Sequence, residues 1–258
     1  MVHTVSLDIV VDSEKGDISK PEIRNFWLHG IDEGWILAFL AGPPCETWSR
    51  ARAVQCDHAD RQGPRVIRTA EDLWGLAHLR IRELEQIDVG NLLLCFSAEA
   101  FLRLACVGGS ATIEHPKEPE EVHFASIWKL PLFQMLLLLP GVELHSLSQG
   151  FLGAPSCKPT SLLCLNLPHI TQAIVKNQVT STMPKGAAIG KTASGQWATS
   201  SLKEYPPALN RALAEQFFQA ITTPSCDEGI SVDDDFLQVC KDLTVTKFTD
   251  HLGRDFAG

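Results

Sequence analysis

The sequence predicts an α/β fold, a mostly parallel sheet with flanking helices. Two observations carry that expectation. Short apolar runs of strand character alternate along the chain with segments of helical apolar spacing. One such run, Trp35-Ile36-Leu37-Ala38-Phe39-Leu40, turns abruptly into Ala41-Gly42-Pro43-Pro44-Cys45-Glu46-Thr47-Trp48-Ser49. The two prolines fix φ near about −65° and remove two backbone donors, so the chain leaves the sheet on a preset path. A thiol is thereby held at the carboxyl end of a strand, the side on which open α/β sheets bind ligands.

The elements follow in chain order. Val5-Ser6-Leu7-Asp8-Ile9 reads as a short strand ending in an acid, and Gly16-Asp17-Ile18 as a turn. After the Cys45 turn, Thr69-Ala70-Glu71-Asp72 has the form of a capped helix start, with Leu73, Leu76, Leu79, Leu84 and Ile87 behind it at mostly helical spacing. A second helix through Leu92, Leu93, Phe96 and Leu104 ends at Gly108-Gly109. Ala111-Thr112-Ile113-Glu114-His115-Pro116 is a strand closed by its proline. Residues 121–129 read as helical, Pro131 bends or restarts the helix, and Gly141 ends the run at 136–139. Residues 142–147 and 161–165 are expected strands, the pattern weakens over 168–204, and 207–221 form a clear amphipathic helix.

At 258 residues and 45% hydrophobic, the chain can bury one substantial core. One domain over residues 1–222 is expected, with 223–258 as an acidic tail carrying Asp233-Asp234-Asp235 and a short helix. The apolar stretches 92–107 and 130–139 are broken by Glu99, Arg103 and Gln134 or are too short to span a bilayer, so they are expected as core helices and no membrane partner is expected. The eight cysteines include no Cys-x-x-Cys pair and lack a compact disulfide framework, which fits a reducing intracellular setting. The amino terminus has no secretory pattern. Cys56-Asp57-His58 lacks a second ligand pair and reads as a surface loop, so no metal is expected.

A net charge of −9 argues against a strongly attached nucleic-acid binder. Between residues 50 and 82, however, seven arginines stand against four acids, a local excess of three positive charges just after Cys45. That placement suits a polyanion, although a solvated basic loop has the same composition.

The Gly42-Pro43-Pro44-Cys45 turn resembles the Pro-Cys motif of the cytosine-5 DNA methyltransferases, in which a turn after the fourth strand carries the nucleophile. Glu114 matches the glutamate of the family's Glu-Asn-Val segment, with His115 and Pro116 departing from it. Gln149-Gly150-Phe151-Leu152-Gly153-Ala154-Pro155, followed by Lys158-Pro159-Thr160, is similar to the Gln-x-Arg-x-Arg region, Lys158 standing where an arginine is expected. The likeness spans roughly residues 5 to 220 and rests on the order of these segments. It implies a methyltransferase-like, Rossmann-type sheet in which Cys45 adds to carbon 6 of a cytosine and Glu114 meets ring nitrogen 3. It further implies S-adenosylmethionine as cofactor, held by Asp8 at the ribose, Asp17 at the adenine, and Pro43. DNA is the implied partner, met by Arg50, Arg52, Lys158 and Thr160, its target base flipped or single-stranded.

Two features depart from the family. The glycine-rich turn after its first strand has no counterpart, so that central strand is expected to be missing, and the region for target recognition is short. The alternatives are a non-catalytic remnant or mobile-element-encoded fragment, and a cysteine hydrolase built on Cys45, His115 and Glu114. Asp8 and Asp17 fit simple capping roles equally well, and Trp48 fits the core better than base stacking.

Overall fold

A computed structural model describes residues 3–7, 12, 14–53, 64–184, 202, 204–223 and 238. The elements run α1 (Pro21–Asp32), β1 (Ala38–Ala41), α2 (Arg50–Ala53), α3 (Ile81–Cys106), β2 (Ser110–Pro116), α4 (Pro131–Leu136), β3 (Val142–Ser148), β4 (Pro159–Leu165), α5 (Ile170–Lys176) and α6 (Pro207–Thr222). Pro21 opens α1 and Pro131 opens α4, positions where the missing N–H would have had no helical partner.

The four strands form one sheet in the order β1-β2-β4-β3. β1 and β2 are parallel, joined by the long crossover helix α3. β4 runs antiparallel to both β2 and β3. The fold is therefore α/β with a mixed sheet, which corrects the expectation of a mostly parallel one. Residues 149–158, which join β3 to β4, hold a single 3-10 turn at Gln149–Leu152. That is too short for a crossover, so the chain must return antiparallel.

Alternation along β2 divides the core into two layers. Ala111 and Ile113 join Leu163 and Leu165 under α1, α3 and α4, around the fully buried Phe101, Leu104, Trp128 and Phe133. On the other face Leu162 and Cys164 pack against α5 and α6 through Ile170, Leu209 and Ala212. α3 is long and apolar enough to cross a membrane by length and composition, but 67% of its most apolar window is buried inside this fold.

Several elements differ from their sequence pattern. Thr69 does not start a helix: its hydroxyl accepts the Asp72 N–H at 3.1 Å within a turn, and Gly75 takes φ 126, which no helix accommodates. The helix begins at Ile81 and continues unbroken to Cys106, where two helices were expected. Its first turn is set by Glu83, whose carboxylate accepts the Arg80 N–H at 2.9 Å. Residues 121–129 contain only the 3-10 turn Ile127–Lys129, because Ser126 caps Trp128 and the Lys129 ammonium takes up the carbonyls of Val122 and Phe124. Residues 3–7 form no strand, and Val5 is 64% exposed. Asp8 and Ile9, the Cys56-Asp57-His58 triplet, 185–201 and the tail other than 238 lie outside the described residues.

Candidate functional site

The parallel register sets Ala41 opposite Ile113, so the Gly42 turn leaves β1 beside Glu114 as β2 approaches its own end. A Cβ on Gly42 would lie 3.6 Å from Glu114 Oε2 and 2.5 Å from the Tyr205 hydroxyl, so a side chain there would have to push the hydroxyl aside. Pro43 is buried and Cys45 is partly exposed. The Cys45 carbonyl accepts the N–H groups of Trp48 (3.0 Å) and Ser49 (2.9 Å), folding the turn back on itself.

Glu114 is only 7% exposed and is surrounded by donors. The Gln149 amide donates to its Oε1 at 3.1 Å, the Lys158 ammonium lies 3.7 Å from the same oxygen, and the Tyr205 hydroxyl donates to Oε2 at 3.3 Å. Gln149 also donates to Thr160 Oγ1 at 3.0 Å, and the Thr160 hydroxyl donates to the Lys158 carbonyl at 3.1 Å. Lys158 donates to the Leu202 carbonyl at 2.7 Å and stands 5.4 Å from the centre of the Tyr205 ring. Its backbone has φ 33, a strained conformation for a residue with a side chain.

Burial raises the Glu114 carboxyl above its usual range, with Lys158 opposing the rise. Burial first, and then the Glu114 charge, pushes the Cys45 thiol up to about 11. A carboxyl and a thiol whose ionisation burial opposes thus lie near one ammonium group. That combination suits donating a proton to a basic ring atom, and it forms a nucleophile only when the thiol's surroundings change.

Cys45, Glu114, Lys158 and Thr160 come together, although Thr160 is fully buried and its hydroxyl is spent inside the protein. Arg50 pairs with Glu121 at 2.5 Å and lies 5.8 Å from the Phe124 ring centre. Arg52 donates to the Arg65 carbonyl at 2.6 Å and to Gln86 at 3.2 Å. Both arginines therefore brace the segment after Cys45. Asp17 accepts the N–H and hydroxyl of Ser19, a turn just before α1. Trp48 is buried in the core at 4% exposure. His115 packs edge-on to Trp48 and Trp128, on the sheet face opposite Glu114, and burial drives its pKa down to about 3. It stays neutral there, which removes the support for a Cys45–His115 hydrolase.

The sequence singles out neither Tyr205 nor Arg68, and marks Gln149 only as the start of the segment similar to the Gln-x-Arg-x-Arg region. Arg68 is 2% exposed and sits 4.0 Å from the Trp48 ring centre, donating to Thr47 Oγ1 at 2.9 Å and the Leu73 carbonyl at 2.6 Å. Burial, then repulsion from Arg52, lowers its pKa to about 9. No local signal distinguishes it from its neighbouring arginines. Among the described residues no three metal-ligating side chains converge. No family model matches the chain, and none of the curated proteins or solved structures compared with it matches either.

Proposed function

We propose that this chain is a methyltransferase-like domain whose Cys45 and Glu114 act on a cytosine in DNA, in the manner of the cytosine-5 methyltransferases. The supporting observation is the juxtaposition at the carboxyl ends of two adjacent parallel strands, where the Cys45 turn faces the buried Glu114 held by Gln149 and Lys158. In this reading the Cys45 thiolate forms a bond to ring carbon 6, its proton having passed to solvent. The carbon 5–carbon 6 electron pair moves into the ring, and the Glu114 carboxyl delivers its proton to ring nitrogen 3. Lys158 steadies the carboxylate left behind, and its strained backbone is the kind of cost found where a side chain has work to do.

S-adenosylmethionine is the donor this reading calls for, and it would supply an electrophilic methyl group to carbon 5. Of the residues proposed to hold it, Pro43 is buried and Asp17 spends its carboxylate on Ser19. The described residues therefore do not by themselves fit a complete donor site, and no step is derived through it.

An oligonucleotide carrying 5-azacytosine tests the thiol addition alone, because that ring accepts a thiolate without methyl transfer. A covalent adduct mapped to Cys45 is expected, lost in Cys45→Ser and slowed in Glu114→Gln. A bound oligonucleotide that gives no adduct, or one at another cysteine, refutes the assignment. The second reading, a chain that keeps the fold without catalysing, draws support from β1: among the described residues it pairs on one side only, where the family sheet would continue.

A further inference from the structure

We propose that the Tyr205 phenol holds the place of the target base, so that a pyrimidine from single-stranded DNA must displace it from Glu114 and the Gly42 turn to reach Cys45. The inference rests on the nucleobase reading of the site and adds its regulation. Tyr205 offers what a pyrimidine offers: a flat six-membered ring carrying a polar edge. Its hydroxyl donates to Glu114 Oε2 at 3.3 Å, the carboxyl proposed to meet ring nitrogen 3. The same oxygen is so close to the Gly42 turn that a Cβ there would collide with it at 2.5 Å. Lys158 stands 5.4 Å from the ring centre, a cation facing an aromatic surface.

The chain entering α6 is tied down at a second point, since Lys158 also holds the Leu202 carbonyl at 2.7 Å. Ring and carbonyl are thus fastened by the two charged groups of the site, Glu114 and Lys158. Burial, then the Glu114 charge, raises the phenol pKa and keeps Tyr205 a neutral donor. The exocyclic amino group of an incoming cytosine can replace the Tyr205 hydroxyl as a donor to Glu114, so the hydrogen bond itself opposes the exchange only weakly. The Cys45 thiol lies near enough to the phenol to couple with it electrostatically.

Tyr205 is the single tyrosine of the chain, which allows a direct test on the whole chain. Iodoacetamide labelling mapped by peptide mass spectrometry should modify Cys45 slowly in the wild type. In Tyr205→Ala the rate should rise by roughly tenfold to a hundredfold at pH 8, the span of one to two pKa units. Cys157, partly exposed, serves as the rate reference, and the buried Cys95 and Cys164 report folding by staying unmodified. Should Tyr205→Ala fail to fold, Gly42→Ala displaces the hydroxyl from the opposite side and should accelerate Cys45 in the same way. Incorporated 3-fluorotyrosine then gives one ¹⁹F resonance, expected to move to a solvent-like position on saturation with a cytosine-containing single strand. A Cys45 rate within about twofold of wild type in the folded variant overturns the proposal, since unit pKa steps are tenfold. So does a bound oligonucleotide that leaves the ¹⁹F resonance unmoved. A variant with fast Cys45 labelling that forms no 5-azacytosine adduct overturns the nucleobase reading instead, leaving a closure whose occupant is not a base.

Discussion

Acidification should destabilise this protein chiefly through His115, and the size of the effect can be worked out. The ring is 1% exposed, lies between Trp48 and Trp128, and its Nε2 has no hydrogen-bond partner among the described residues. Burial, with repulsion from Arg68, lowers its pKa from 6.5 to about 3. Because the folded pKa is depressed, the folded state refuses a proton that the unfolded chain accepts. The associated stability is present above pH 6.5 and is lost as pH falls toward 3. A gap of about 3.5 units corresponds to about 5 kcal/mol over the full window, and about half of it is lost by pH 4.5. That is a large part of the ~5–15 kcal/mol a domain ordinarily has. Glu114 acts with the opposite sign, since its raised pKa makes acidification favourable to the fold. His115→Phe keeps a ring between the tryptophans but takes no proton. Urea unfolding followed by tryptophan fluorescence at pH 7.5 and 4.5 should show the wild type losing about 3 kcal/mol more than the variant. Equal losses would refute the assignment of a neutral buried imidazole.

Three further outcomes are expected. Burial raises Cys95 and Cys164 from 9.0 to about 12, so their contribution is present below pH 9 and lost as pH rises toward 12. The loss is about 4 kcal/mol each, and Cys95→Ala should flatten the alkaline decline in urea melts; an unchanged decline counts against this. Arg68→Lys should cost about 2 kcal/mol and weaken the near-UV circular dichroism of Trp48, because an ammonium can neither stack nor bond to Thr47 and Leu73 together. Isothermal calorimetry should detect no micromolar binding of S-adenosylmethionine, since Asp17 is engaged with Ser19; tight binding lost in Asp17→Ala would overturn that account.

Much of the fold is legible because its signals are local. The run into Gly42-Pro43-Pro44-Cys45, the strand closed at Pro116 and the amphipathic helix from Pro207 all announce themselves within a few residues. Strand direction does not, because the period-two pattern of β4 is the same whichever way it runs. Thr69 shows how a correct local signal can still mislead. Its hydroxyl does accept a backbone N–H three residues on, but in a turn that Gly75 prevents from continuing. The same division governs the site. Cys45, Glu114 and Lys158 stand out in short motifs, whereas Tyr205 meets Glu114 across 91 residues and Arg68 meets Thr47 across 21, pairings that only the folded chain creates.

The bracing after Cys45 has a practical consequence for protein engineering. Arg52 clasps the Arg65 carbonyl at 2.6 Å, while Gln86 and Glu83 on α3 hold Arg52 and Arg65 at 3.2 Å and 2.6 Å. Arg52 also reaches the Glu46 carbonyl at 3.4 Å, so the turn that carries the thiol is anchored to α3, and substitutions at Gln86 or Glu83 offer a way to shift Cys45 without touching the sheet.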